Sequence, residues 1–276
     1  MTEDKPQSQN SRTHATRITD QLRRALAATA IVVGLAVVLA ALFSQAPQRL
    51  PDFSTISDIS DRKQAFFEFL APVVEAENER VLAQRARLLD LAERVRAGER
   101  AGWLDRRWLD SLAEEYAVVW NPDLTESERL ESLAMLERRV DAVPVPLALV
   151  QAATESGWGR SRFATEGNNL FGHWCYESGC GLVPARRNPD AAHEVAAFDS
   201  VSESVSRYLH NLNTHAAYAP LRAIRARLRR QGESLTAMAL ADGLMLYSER
   251  REDYVEEIKT VIRINRPIIA RVRETL

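Results

Sequence analysis

The stretch QAATESGWGRSRFATEGNNLFGHW, residues 151–174, begins inside an apolar helix and ends in a loop rich in glycine and aromatic residues. The apolar run before it places Glu155 in the last turn of that helix, which Gly157 and Gly159 end. A carboxylate at a helix C-terminus is repelled by the partial negative charge there, and burial disfavours its ionised form further. Both effects keep a proton on Glu155 near neutral pH, which is the property of a general acid.

The composition of the whole chain is that of an ordinary globular protein. Its 276 residues are 46% apolar, which is enough for one or two domains with a buried core. Its 36 basic and 38 acidic residues leave a net charge of −2. This balance argues against a nucleic-acid partner, which is normally held by an excess of basic side chains.

One segment near the start has the character of a membrane span. Residues 25–43 carry no charge and approach the ~20 residues that cross a bilayer as a helix. Arg17, Arg23 and Arg24 precede the segment, so the N-terminus is expected to stay in the cytoplasm and the rest to be exported. A signal peptide cleaved near Ala46 is the alternative.

The cysteine content predicts one disulfide and no metal. The two cysteines, Cys175 and Cys180, lie in the part expected to be exported, where an oxidising compartment favours disulfides. A zinc site would need further ligands, and only His173 lies near the pair in sequence. We expect a Cys175–Cys180 disulfide and neither a metal nor another cofactor.

The remaining sequence predicts a mainly α fold with a small β or loop lobe. Helical spacing runs through residues 61–95, and two further helices follow before residue 140. The second of these opens with a capping box, as does a later helix after Ser200. HEVAAF and GLVPA are expected to pair as a short hairpin. Pro267 is expected to stop the last helix.

Three motifs carry a family resemblance. The sequence ESGWG at residues 155–159, NLFG at 169–172 and YSERREDYVEEI at 247–258 resemble the glucosaminidase domain of glycoside hydrolase family 73, which has a lysozyme-like fold. HWCYESGCGLVP and the later AAFDSVSESVSRYLHNLNTHAAY look closer still to the Bax-type members of that family in Gram-negative bacteria. The resemblance implies hydrolysis of β-1,4 bonds after N-acetylglucosamine in peptidoglycan.

The same resemblance implies roles for individual residues. Glu155 matches the general acid, and Tyr247 matches a residue that lines the catalytic centre. The residues expected to contact the sugar are Trp158, Asn169, Phe171, Trp174 and Tyr254. Packing in the core is the alternative for Tyr247, Tyr254, Trp158 and Phe171, and a turn cap is the alternative for Asn169.

The chain departs from the family pattern at the second carboxylate. Many members carry a second glutamate in the hairpin, but here Arg186 and Arg187 lie near its expected place. Glu194 is the nearest carboxylate and is our candidate for base or nucleophile, with Glu177 behind it. If neither reaches the cleft, the acetamido group of the substrate could assist, so the stereochemistry stays open.

The sequence therefore predicts a membrane-anchored periplasmic endo-β-N-acetylglucosaminidase that acts on peptidoglycan. A lytic transglycosylase-like muramidase and a non-catalytic peptidoglycan-binding module are the alternatives. The expected partners are glycan strands and, through one helix, the inner membrane. The predicted division is a cytoplasmic tail at 1–24, an anchor at 25–43, a linker at 44–60, a helical collar at 61–139, the lysozyme-like catalytic domain at 140–268 and a C-terminal tail at 269–276.

Overall fold

The computed structural model describes residues 49–121, 123–185 and 193–274. The predicted cytoplasmic tail and anchor, residues 1–43, lie outside these ranges. Among the residues that the structure does describe, no helix is both long and apolar enough to cross a membrane.

The structure is mainly helical, as the sequence predicts. Short 3₁₀ turns lie at Phe53–Thr55, Ala216–Tyr218 and Asp242–Leu244. The helices are α1 (Ile59–Arg96), α2 (Trp103–Glu115), α3 (Glu126–Arg139), α4 (Val145–Ser156), α5 (Arg162–Gly167), α6 (Val201–Thr214), α7 (Ala219–Gln231), α8 (Ala237–Ala241) and α9 (Glu252–Glu274). The strands are β1 (Trp174–Cys175), β2 (Gly181–Leu182) and β3 (Glu194–Ala196).

The strands form a small antiparallel sheet between α5 and α6. Its order is β1-β3-β2, with Val195 opposite both Trp174 and Leu182. The predicted pairing of HEVAAF with GLVPA is confirmed as β3 and β2, while β1 was not predicted. This sheet is the β lobe of the domain.

Two helices begin at the predicted N-caps. The hydroxyl of Thr125 accepts the N–H of Glu128, whose carboxylate accepts the N–H of Thr125, so the capping box of α3 is complete. The hydroxyl of Ser200 likewise accepts the N–H of Glu203 at the start of α6. There the carboxylate of Glu203 accepts the N–H of Asp199, one residue before the expected partner.

The regions predicted as a helical collar and a catalytic domain pack together. Residues 49–276 form one compact unit, because α1 packs directly against α4, α6 and α9. Asn78 of α1 also fixes the entry to α4, since its side chain exchanges hydrogen bonds of 2.8 and 2.9 Å with the backbone of Val143. The helix that carries Glu155 is therefore held from the N-terminal region.

Part of the segment predicted as a linker is packed in the core. Within residues 44–60, Phe53 is only 3% exposed and packs edge-on against Phe66 and Phe69 of α1. A Cβ at Gly159 would approach the Phe53 ring to 2.9 Å, so glycine permits this contact. The chain thus joins the core before α1 begins.

The last helix does not stop at Pro267, and the predicted C-terminal tail is wrong. Proline removes one backbone hydrogen bond and crowds the preceding turn, which normally ends a helix. Here α9 continues because the turns beyond the proline bury Ile269 and Val272. Burial of two aliphatic side chains stabilises the fold by about 3 kcal/mol, which is comparable to the cost of an internal proline.

A buried carboxylate secures the segment between α3 and α4. Asp141 accepts hydrogen bonds of 3.1 and 2.8 Å from Arg229 and lies 3.5 Å from Arg85 and 3.8 Å from Arg225. Burial disfavours its ionised form, but the hydrogen bond from Arg229 and the charges of Arg225 and Arg85 outweigh burial and hold the pKa of Asp141 below its ordinary value. This cluster anchors the N-terminal side of α4.

Candidate active site

Glu155 lies in the last turn of α4, between α9 and the loop that precedes β1. Gly157 ends the helix in the left-handed conformation, with φ +58°. The hydroxyl of Tyr254 on α9 donates a 2.8 Å hydrogen bond to Oε1 of Glu155. On the other side, a Cβ at Gly172 would lie 3.9 Å from Oε2. Glu155 is thus half-buried, with Oε1 bound and Oε2 facing residues 168–173, which we call the glycine loop.

A chain of buried hydrogen bonds orients this carboxyl group. Gln151, one turn before Glu155, donates 3.0 Å to the hydroxyl of Tyr254. Its carbonyl oxygen accepts a 2.6 Å hydrogen bond from the hydroxyl of Tyr208. Because Tyr254 accepts from Gln151, its own proton is directed to Glu155. Oε1 therefore acts as the acceptor, and Oε2 is the oxygen free to hold and deliver a proton.

The environment favours the protonated form of Glu155, as the sequence predicts. Burial is the largest influence and raises the pKa of Glu155; the hydrogen bond from Tyr254 and the charge of Arg250 lower it, and Glu257 raises it again. The net result is a pKa above the ordinary value. Burial beside the apolar helix is thus the dominant physical cause.

The hydroxyl groups of the two tyrosines of the later motif are both engaged within the protein near Glu155. Tyr254, predicted to contact sugar, is 1% exposed and binds Glu155 directly. Tyr247, predicted at the catalytic centre, stacks on Tyr254 with ring centroids 5.3 Å apart, and its hydroxyl donates 3.1 Å to the carbonyl of Phe171. Tyr247 therefore supports the tyrosine that orients the acid and links it to the glycine loop.

Two predicted sugar-contacting aromatic residues belong to the core. Phe171 is 3% exposed, and its ring stacks on Tyr208 at 4.0 Å. Trp158 packs against Phe66 and Phe67 of α1, with ring centroids 5.9 and 5.3 Å away. These rings bury apolar area where the active-site elements meet α1 and α6, so the core alternative applies to both.

Asn169 is also a structural residue. Its side-chain nitrogen donates to the carbonyls of His173 and Ala196 at 2.9 and 2.8 Å. Its oxygen accepts the N–H groups of Phe171 and His173 at 3.3 and 3.1 Å. A primary amide has two N–H donors and two acceptor sites, so all four are used within the protein. Asn169 holds the glycine loop against β3 and has no group left for a sugar.

Glu194 does not have the arrangement expected of a base or nucleophile. Its side chain is 6% exposed, and its two oxygens accept the N–H groups of Gly179 and Gly181 at 3.2 and 2.9 Å. It lies beside the Cys175–Cys180 disulfide, whose sulfur atoms are within 4.8 Å of a carboxylate oxygen. This grouping has the spacing of a metal site, but cysteines joined in a disulfide are not available as thiolate ligands. Glu194 instead stabilises the turn before β2.

Trp174, predicted to contact sugar, is exposed on the β lobe. It is 51% exposed on β1 and meets His193 edge-on at 4.1 Å. A cavity of about 390 Å³ lies beside it, lined partly by His173, Arg207 and His210. An exposed aromatic face at a cavity is suited to packing against a sugar ring.

Sequence reasoning missed Gln151, Tyr208, Arg250 and Glu257. Gln151 carried a usable signal, since it is the polar residue one turn from Glu155 in an otherwise apolar helix. Arg250 and Glu257 form a 2.7 Å ion pair and both act on the charge of Glu155. Tyr208 lies on another helix, so nothing in its local sequence connects it to the acid.

Replacing both cysteines by serine is expected to lower the free energy of unfolding modestly. The loop between Cys175 and Cys180 is short, so the disulfide contributes about 2 kcal/mol. The larger effect should be greater mobility of Trp174, measured as lower fluorescence anisotropy. Chemical denaturation of the wild-type protein with and without reductant provides the control. Unchanged stability and unchanged anisotropy would contradict this role.

Tyr254→Phe is expected to move the alkaline limb of the pH–rate profile to higher pH. The tyrosine hydroxyl stabilises the carboxylate, so its loss raises the pKa of Glu155 further and keeps the acid protonated to higher pH. Turnover at the optimum should fall roughly tenfold, because the acid loses its orienting hydrogen bond. Tyr247→Phe is the matched control, since its hydroxyl bonds Phe171. A limb that moves to lower pH, or moves equally in both variants, would refute the assignment.

Comparison with known proteins identifies the family of the chain. Residues 131–266 match the family model for glucosaminidase, described as mannosyl-glycoprotein endo-beta-N-acetylglucosaminidase. The chain is 32% identical over 221 residues to "Protein bax" of Escherichia coli (strain K12). The aligned region covers 80% of this chain and 76% of that protein. No solved structure matches the chain. The chain belongs to the glucosaminidase family of glycoside hydrolases.

Proposed function

We propose that this protein is a peptidoglycan hydrolase, an endo-β-N-acetylglucosaminidase in which Glu155 is the general acid. The observation that carries the proposal is a half-buried carboxyl group with a raised pKa and one oxygen bound by Tyr254. This arrangement leaves Oε2 to protonate the glycosidic oxygen as the bond to the sugar breaks. Membership of the glucosaminidase family supports a glycan substrate.

The second catalytic group in this proposal comes from the substrate. Both oxygens of Glu194 already accept backbone N–H groups, which makes it a poor nucleophile. The acetamido oxygen of N-acetylglucosamine can attack the anomeric carbon while Glu155 protonates the departing oxygen. Water then opens the cyclic intermediate and gives its proton to the Glu155 carboxylate. The acid is restored, and the configuration at the anomeric carbon is retained.

A lytic transglycosylase is the second candidate, and the same observation about Glu194 favours it. Such an enzyme also works with one catalytic acid, but closes an anhydro ring on muramic acid and adds no water. A non-catalytic binding module is less well supported, because binding alone has no need of a buried acid held by Gln151 and Tyr254.

Digestion of peptidoglycan sacculi tests this function. The purified protein is incubated with sacculi, and the released muropeptides are analysed by mass spectrometry before and after borohydride reduction. Reducible N-acetylglucosamine ends are the expected products. Anhydromuramic ends would contradict the proposal and identify a lytic transglycosylase. Absence of released fragments would also contradict it and would support a non-catalytic binding module.

We also propose that the protein is held in the bacterial inner membrane by residues 25–43, with the catalytic unit in the periplasm. The uncharged segment, the arginines before it and the disulfide beyond it support this orientation. Membrane fractionation with N-terminal sequencing is expected to find the intact chain in the membrane and resistant to salt extraction. A mature protein that begins at Pro47 and is released by salt would contradict the anchor.

A further inference from the structure

A second cavity, separate from the residues around Glu155, has a strongly basic lining. It measures about 410 Å³ and lies between α3 and α7, beside the turn that starts at residue 216. Four arginines line it: Arg138, Arg139, Arg222 and Arg230. Within the described part of the chain, no acidic side chain contributes to this lining.

An adjacent cavity shows that this imbalance is specific to one place. The smaller cavity, about 210 Å³, shares Arg138 and Arg230 but is also lined by Asp141 and Glu137. There Asp141 provides the counter-charge for Arg225 and Arg229. The smaller cavity thus contains an acidic partner for Arg225 and Arg229, whereas the described lining of the larger cavity contains no acidic side chain.

The arginines of the larger cavity have donors to spare. Arg222 is 6% exposed, and its two hydrogen bonds, to the carbonyls of Leu212 and His215, both use Nη1. Arg139 likewise uses Nη1 for two carbonyls, while its buried Nε has no partner. Among the described residues, the exposed guanidinium groups of Arg138 and Arg230 have neither a hydrogen bond nor an ion pair.

The clustered charge carries an electrostatic cost. Burial and, secondarily, the charge of Arg139 lower the pKa of Arg222 to about 10. It nevertheless stays charged at neutral pH, so its charge adds to those of the other three arginines. A bound anion would relieve the repulsion among them and satisfy the free donors.

We propose that this cavity binds a phosphoryl group. A phosphate presents three acceptor oxygens and up to two negative charges, which suits several guanidinium groups better than the two oxygens and single charge of a carboxylate. The volume leaves room for a small organic group on the phosphate. A free phosphate monoester has all three oxygens, whereas the phosphodiester headgroup of an anionic lipid presents the same tetrahedral phosphoryl group with two free oxygens and one charge.

Isothermal titration of the full-length chain in non-ionic detergent tests the proposal. The probes are sn-glycerol 3-phosphate as monoester, glycerophosphoglycerol as lipid-headgroup diester, and acetate as carboxylate. We expect one phosphate probe to bind to a single site and to exceed acetate in affinity. Tighter binding of the monoester identifies a free metabolite as the source, and tighter binding of the diester identifies a lipid headgroup.

Matched variants locate the site. Arg138→Gln/Arg230→Gln removes the two partner-free guanidinium groups and should weaken phosphate binding at least about tenfold. Arg129→Gln/Arg227→Gln removes two exposed arginines from the same helices that do not line the cavity, and should leave affinity unchanged. No phosphate binding, equal affinity for acetate, unchanged affinity in the first pair, or equal loss in both pairs would overturn the proposal.

Discussion

Glu155→Gln is expected to reduce turnover on sacculi by ~10²–10⁴-fold, the usual contribution of a general acid. The amide keeps the shape of the side chain, and its oxygen can still accept the hydrogen bond from Tyr254. It has no acidic proton to give to the departing sugar oxygen. The variant should fold at least as stably as the wild type, because it no longer buries an ionisable group that burial disfavours.

Opposite changes in activity and stability would distinguish a catalytic acid from a core residue. Thermal melts and sacculus digestion are compared for the wild type, Glu155→Gln and Glu166→Gln. Glu166 is an exposed glutamate paired with Arg162, so its variant should match the wild type in both measurements. Near-wild-type hydrolysis by Glu155→Gln would rule out the acid role.

Asp141→Asn is expected to lower the free energy of unfolding by about 3 kcal/mol, the cost of removing one partner from a buried ion pair. Asp141 is 2% exposed and is shared by Arg85, Arg225 and Arg229. The amide fills the same space but leaves these arginines without their counter-charge. Because this cluster anchors the start of α4, activity should also become more sensitive to temperature.

The pH dependence gives this second variant a specific signature. The folded protein holds the pKa of Asp141 below its ordinary value, so the carboxylate stabilises the fold above the unfolded pKa of about 4. That stability is lost as the pH falls through the lower, folded pKa. The wild type and Asp141→Asn should therefore converge in acid, as measured by denaturant unfolding across pH. Asp90, whose side chain is 70% exposed, forms a surface ion pair with Arg94, so Asp90→Asn is the control and its free energy of unfolding should match that of the wild type.

Local signals in the sequence were sufficient to predict the position of Glu155 and the direction of its pKa shift. Its place in the last turn follows from the apolar run before it and the glycines after it, and burial of that helix explains the raised pKa. The partners of Glu155 could not be found in this way. Tyr254 binds Glu155 from 99 positions further along the chain, and Tyr208, 53 positions further, binds Gln151 of the same helix. No local pattern encodes this tertiary arrangement.

Two predicted sugar-contacting residues have their side chains engaged within the protein for one physical reason. Asn169 and Phe171 lie in the motif next to the acid, and the sequence cannot distinguish a side chain that binds ligand from one that shapes the loop holding it. The side chain of Asn169 forms its hydrogen bonds with backbone groups, and the ring of Phe171 stacks on Tyr208. Both still serve the site, because they place Gly172 beside Glu155.

Tertiary burial also explains the misplaced element ends. Pro267 predicts a stop and residues 44–60 predict a linker when only local preference is considered. Ile269 and Phe53 reverse these outcomes because each finds a buried position in the core. Burial of one large apolar side chain outweighs the local preference of an ordinary residue, and burial of two offsets the roughly 3 kcal/mol cost of an internal proline.

The central claim is that Glu155 holds the proton that leaves with the departing sugar. Its side-chain carboxyl carbon can be followed by ¹³C NMR across pH, with the resonance assigned by its absence in Glu155→Gln. The account predicts a titration midpoint above 4.5, the ordinary value for glutamate. A midpoint at or below 4.5 would contradict it, since the surroundings of Glu155 would then not favour its protonated form.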